Sequence, residues 1–107
     1  MNASTTEEVI RRQLAENAVI LYMKGTPDNP ECGFSGAAVA ALKKAGKPFA
    51  FVNILRAPQI RERLPSVSQW PTFPQLFIKG ELVGGSDIVI AMLEDGSLLT
   101  MLEDAVN

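Results

Sequence analysis

Cys32 is the only cysteine among the 107 residues, and it opens the tetrad Cys32-Gly33-Phe34-Ser35 directly after Pro30-Glu31. The working form of such a side chain is the thiolate, which serves both as a nucleophile and as a metal ligand. Backbone N–H groups at the start of a helix stabilise negative charge, so a cysteine placed there acidifies. Gly33 and Ser35 keep the first turn small, which lets a partner approach the sulfur closely. A cysteine inside an apolar run would instead be a small buried hydrophobe. This one follows a loop of Pro, Asp, Asn and Glu, and loops held on a rigid scaffold carry function disproportionately.

The rest of the composition narrows the chemistry. There is no histidine, which removes Cys/His dyads, histidine metal ligands and imidazole acid/base steps. Ten basic and twelve acidic residues give a formal net charge of −2, with no footprint for nucleic acid or for an anionic membrane. One cysteine cannot close an internal disulfide, so a secreted, disulfide-stapled scaffold is excluded and a reducing compartment, the cytoplasm, is expected. Met1-Asn2-Ala3-Ser4 lacks the basic and apolar regions of a signal peptide, and no apolar run reaches the roughly 20 residues of a bilayer span. The chain is long enough for one core, and a single domain over 1–107 is expected.

The elements that must position the thiol follow from pattern. Ser4 with Glu7, or Thr5 with Glu8, has capping-box spacing before the apolar stripe Val9, Ile10 and Leu14, predicting a helix from about 5 to 16. Ala18 to Met23 is a compact apolar run, read as a buried strand. Gly25 to Glu31 is a loop on turn chemistry. Ala38, Ala41, Leu42 and Ala45 then recur at helical spacing until the Gly46 cap, so a second helix carries Cys32 at its start. Phe49 to Ile54 reads as another strand, and Pro58 opens a third helix to about Leu64. Trp70 to Pro74 interrupts regular structure before a strand at Gln75 to Lys79, a Gly80-Glu81 turn and a short strand at Leu82-Val83. Gly84-Gly85 permits an unusual backbone path, Ser86 or Asp87 caps a helix to about Asp95, and Leu98, Leu99 and Leu102 mark a last helix. The early strands joined through a helix imply a parallel pair, and the hairpin is antiparallel. The fold class is α/β: one mixed four-stranded sheet with helices on both faces.

Lys24-Gly25-Thr26-Pro27, Pro30, Cys32-Gly33-Phe34-Ser35, Trp70-Pro71-Thr72-Phe73-Pro74-Gln75 and Gly84-Gly85-Ser86-Asp87-Ile88 together resemble a monothiol glutaredoxin of the CGFS class. The likeness runs from about residue 5 to 103. It implies a thioredoxin-like fold and a cis peptide bond before Pro74. It also implies a glutathione groove. Cys32 meets the glutathione sulfur, Lys24 and Arg61 pair with the glycine carboxylate, and the Phe73 backbone pairs with the cysteinyl part as an added strand. Ser86 and Asp87 hold the γ-glutamyl end at a helix N-terminus. Gly33, Phe34, Thr72, Pro74 and Gly85 complete the implied binding set. On the residues alone, Arg61 fits a solvated charged face equally well, Asp87 a plain helix cap, and Trp70 a packing role.

The resemblance implies two uses of the thiol. Ser35 stands where dithiol relatives carry the resolving cysteine, so a mixed disulfide at Cys32 falls to free glutathione. A [2Fe–2S] cluster takes four thiolate-type ligands and this chain offers one; the family's solution is a homodimer bridged by the cluster, with two glutathiones supplying the other sulfurs. The implied role is a carrier of labile clusters to apo iron-sulfur proteins and in iron homeostasis, alone or with a BolA-like partner, with Cys32 as metal ligand. The alternative is a glutathione-dependent thiol-disulfide oxidoreductase with Cys32 as catalytic nucleophile, and enzymatic turnover is left open between them. Many CGFS proteins carry a second cysteine where this chain has Ser86, so no internal disulfide can form with Cys32. Glu31 places a negative charge beside the thiol, which by itself raises its pKa.

Overall fold

The structure, a computed structural model, describes residues 5 to 106. Ser4 lies outside them, and the capping box seen is that of Thr5: its hydroxyl accepts the Glu8 N–H at 3.1 Å while Glu8 accepts the Thr5 N–H at 2.8 Å. Helix α1 (Thr6–Glu16) follows. The central strand β1 (Val19–Met23) pairs in parallel with β4 (Ala50–Asn53) and antiparallel with β5 (Gln75–Ile78), and β5 pairs antiparallel with β6 (Glu81–Gly84). The four-stranded order is β4-β1-β5-β6, the mixed sheet that the strand and helix alternation implies.

Every residue of β1 is buried, because both faces of the strand are covered. Val19, Leu21 and Met23 pack into a core completed by α2 (Gly33–Ala45), α4 (Ser86–Asp95) and α5 (Ser97–Val106), through Ala38, Val39, Ala41, Leu42, Val89, Leu98 and Leu102. Ile20 and Tyr22 turn to the opposite face and meet Ile10 of α1 with Ile60 and Leu64 of α3 (Pro58–Ser68). The period of two along a strand thus divides one apolar run between two cores. On the second face the Tyr22 hydroxyl donates to Gln13 Oε1 at 2.8 Å, and its ring meets Phe77 edge to face with centroids 5.6 Å apart.

Four local expectations are corrected. Gly25–Thr26 and Asn29–Pro30, read as plain loop, form a small antiparallel ribbon, β2 and β3; two-residue strands are too short to show periodicity. Helix α3 does not stop at Leu64 but runs through Pro65 to Ser68. Proline removes only one donor, and Leu64 with the partly buried Val67 keeps the helix anchored to the core beyond it. The hairpin turn is Lys79-Gly80, both at positive φ, so Glu81 begins β6 instead of ending the turn. Neither Ser86 nor Asp87 caps α4: the N-cap is Gly85, and the two follow it inside the first turn. No helix among the described residues is long and apolar enough to cross a membrane.

Candidate functional site

Cys32 occupies the N-cap of α2 with extended backbone (φ −155°, ψ 135°), and its carbonyl accepts the Gly36 N–H at 2.9 Å. The thiol makes no regular capping hydrogen bond. The sulfur nevertheless feels the first turn: the Ser35 N–H holds the thiol pKa below its ordinary value, burial opposes this, and the Phe34 N–H, the Lys24 charge and the Ser35 hydroxyl add to the lowering. The net direction is downward, burial being the opposing influence, and the push expected from Glu31 is not among the causes. Thiolate is the form that attacks sulfur and binds metal.

Ser35 is fully buried, and its hydroxyl accepts the Lys24 N–H at 3.0 Å. The start of α2 is thereby tied to the end of β1. Lys24 is held further by its carbonyl, which accepts the Glu31 N–H at 2.9 Å. Gly25 makes the bend that follows, at φ +93°, where a Cβ would stand 2.6 Å from Asn29 O and from Glu31 N. Only glycine fits there.

The sulfur opens onto a groove of about 620 Å³. Ten of the eleven residues named from the sequence line it: Lys24, Cys32, Phe34, Arg61, Thr72, Phe73, Pro74, Gly85, Ser86 and Asp87. Gly33 does not; it is exposed, and nothing stands near the position its Cβ would take. The N-termini of α2 and α4 both open into this space, which suits it to anionic groups. Lys24 and Arg61 add two cations at its edge.

Pro65, Trp70, Pro71 and Ile88 also line the groove and were not assigned to it from sequence. Pro65 escapes a sequence reading that ends α3 at about Leu64, four residues short of its end at Ser68. Trp70 has the packing role expected of it, against Gly85: a Cβ there would stand 3.4 Å from Pro74 O and 3.6 Å from Trp70 Nε1. The start of α4 thus lies close against the Trp70-to-Pro74 loop. The Phe73-Pro74 peptide bond is cis. Gln75, fully buried behind the loop, donates its Nε2 to the carbonyls of Trp70 at 2.8 Å and Thr72 at 3.1 Å. A glutamine heading an otherwise apolar strand was the signal that could have found it.

Among the described residues no group of three or more His, Cys, Asp or Glu side chains gathers to hold a metal ion. Phe34 is 66% exposed beside the sulfur and Ile88 37%. The mouth of the groove therefore carries an apolar rim.

The glutaredoxin family description matches residues 19–83. Glutaredoxin 4 of Escherichia coli (strain K12) is 55% identical over 101 residues, spanning 94% of this chain and 88% of that protein. A probable monothiol glutaredoxin, GrlA of Legionella pneumophila, is 58% identical over 87 residues, spanning 81% and 98%. The solution structure of reduced poplar apo GrxS14 superposes with a TM-score of 0.79 at 42% identity, covering 92% of this chain and 91% of that one. A crystallised buckwheat glutaredoxin-glutathione complex shares the fold, with a TM-score of 0.82 at 20% identity over 94% and 89% of the two chains. With a single thiol at the head of α2 and serine three residues on, the chain belongs to the glutaredoxin family and to its monothiol members.

Proposed function

We propose that this glutaredoxin binds glutathione and carries a labile [2Fe–2S] cluster as cargo. The observation that carries the reading is one acidified thiol, Cys32, facing a groove lined by two cations and by a helix N-terminus. Glutathione has charges to match: Lys24 and Arg61 take its glycine carboxylate, and the start of α4 with Ser86 and Asp87 takes its γ-glutamyl end. The Phe73 backbone pairs with the cysteinyl part, Thr72, Pro74 and Gly85 form walls around it, and Gly33 and Phe34 flank the sulfur. A family neighbour crystallised with glutathione is in keeping with this.

Ligand arithmetic does the rest. One cysteine and no histidine cannot complete the four-ligand set of a cluster. Two chains each giving Cys32 and two glutathiones giving the other sulfurs can, which makes a cluster-bridged homodimer. Held by so few covalent links to protein, the cargo passes readily to apo iron-sulfur proteins, and a BolA-like partner replaces one copy in a heterocomplex. The cytoplasm, with its glutathione pool, is the compartment that suits a single-domain carrier of this kind.

Anaerobic reconstitution with iron, sulfide and glutathione tests the reading through visible absorption, circular dichroism and size of the product. A [2Fe–2S] spectrum in a dimer that requires glutathione is expected, and Cys32→Ser should abolish it with the far-ultraviolet spectrum unchanged. An undiminished cluster in that variant would overturn the proposal.

The lowered Cys32 pKa also favours a second reading, thiol-disulfide exchange on glutathionylated proteins. The Cys32 thiolate attacks the glutathione sulfur of the mixed disulfide and the protein thiolate leaves and takes a proton. A second glutathione thiolate then attacks Cys32–S–S–glutathione, releasing oxidised glutathione and regenerating the Cys32 thiolate. A colourless monomer that turns over such a substrate would make this the main activity.

A further inference from the structure

We infer that Asn53 sets the spacing of the two groove cations, by hanging the segment of Lys24 and the turn leading to the helix of Arg61 from one carboxamide oxygen. Asn53 ends β4 opposite Met23, the last residue of β1. Its Oδ1 accepts the Gly25 N–H at 2.9 Å and the Leu55 N–H at 3.0 Å. The first bond reaches across 28 residues of chain, from the sheet edge to the residue after Lys24. The second closes the turn that leads to α3, and the Asn53 carbonyl closes it again by accepting the Arg56 N–H at 3.0 Å.

That turn matters because α3 has no side-chain cap of its own. Its N-cap is Ala57, with no capping hydrogen bond. Ile60 and Leu64 anchor the helix in the core, the Ile54 N–H holds the turn to Met23 O at 2.9 Å, and a run of backbone bonds carries the turn into the helix start: Ala57 N–H to Ile54 O at 3.3 Å, then Arg61 N–H to Ala57 O at 3.0 Å. Arg61 therefore stands one helical turn beyond a structure fixed at Asn53, and Lys24 one residue from the other end of the same oxygen. Holding the backbones of two long cations at a fixed separation lowers the entropy that their flexible stems lose on meeting one carboxylate.

The inference rests on the reading of Lys24 and Arg61 as carboxylate partners, and the experiment separates the two. Calorimetric affinities for glutathione and for its glycine ethyl ester are compared in the natural protein, Asn53→Ala and Lys24→Ala. Asn53→Ala should weaken glutathione binding about five- to tenfold, the scale of one or two lost hydrogen bonds, with ester binding unchanged. Equal weakening of both ligands, or none, overturns the role of Asn53 when Lys24→Ala alone erases the preference for glutathione. A natural-like preference in Lys24→Ala overturns the carboxylate reading and the inference with it. Amide hydrogen exchange gives a second test that does not depend on ligand: Gly25 and Leu55 should exchange slowly in the natural protein and in Asn53→Asp, which keeps the acceptor, and faster in Asn53→Ala. Fast exchange at either amide in the natural protein would overturn the anchoring.

Discussion

Ser35 does more than fill the place of a second thiol. A hydroxyl has one proton and two acceptor sites, and with one site taken by the Lys24 N–H the proton is free to support the Cys32 sulfur. Replacing Ser35 with Ala should raise the Cys32 pKa, moving both the ultraviolet thiolate absorbance and the alkylation-rate profile to higher pH; an unmoved profile would leave the backbone donors and the Lys24 charge as the cause. The sign for stability follows from the same shift. A thiol that ionises more readily in the folded protein contributes stability that is complete above its unfolded pKa and disappears as pH falls through its folded pKa. Glu7 behaves likewise at lower pH. Arg63 and Arg11, at 2.7 and 2.8 Å, hold its carboxyl below the usual range. Its contribution is present above the unfolded carboxylate pKa and lost as pH falls through the lowered value. Denaturant titrations at pH below the ordinary carboxylate pKa should show that slope reduced in Glu7→Gln.

Elements were legible where one mechanism dominates. The capping box at Thr5, the glycine ends of α2 and α4, and the apolar run of β1 each announce themselves, and the four motifs that face the groove lie at their junctions. What the chain order hides is set by contacts distant in sequence. The Asn53 carboxamide looks like any strand-ending polar residue until Gly25 is folded against it. The β2–β3 ribbon depends on a close backbone approach at Gly25. Gly33 belongs to the set the resemblance implies and adjoins Cys32, yet it does not line the groove, since neighbouring positions along a helix face in different directions. Gly25→Ala should therefore cost at least about 1 kcal/mol, measured by urea unfolding, and should disturb Lys24 with it, whereas Gly33→Ala should leave the fold intact.

For the whole molecule, the division of β1 between two faces has an energetic signature. Leu42 and Leu64 are both fully buried, one in each core. Truncation of either to Ala should cost about 2–5 kcal/mol, and the double variant should equal the sum within about 0.5 kcal/mol because the sheet separates them. A larger coupling would mean that the two cores relax as one. The same central strand fixes an order of events in time. β1 must wait for β5, and the groove draws on residues from Lys24 to Ile88. A ribosome adding roughly 5–20 residues each second takes several seconds to pass from Cys32 to Ile88. For that interval each newborn molecule shows its thiol before it owns a binding site.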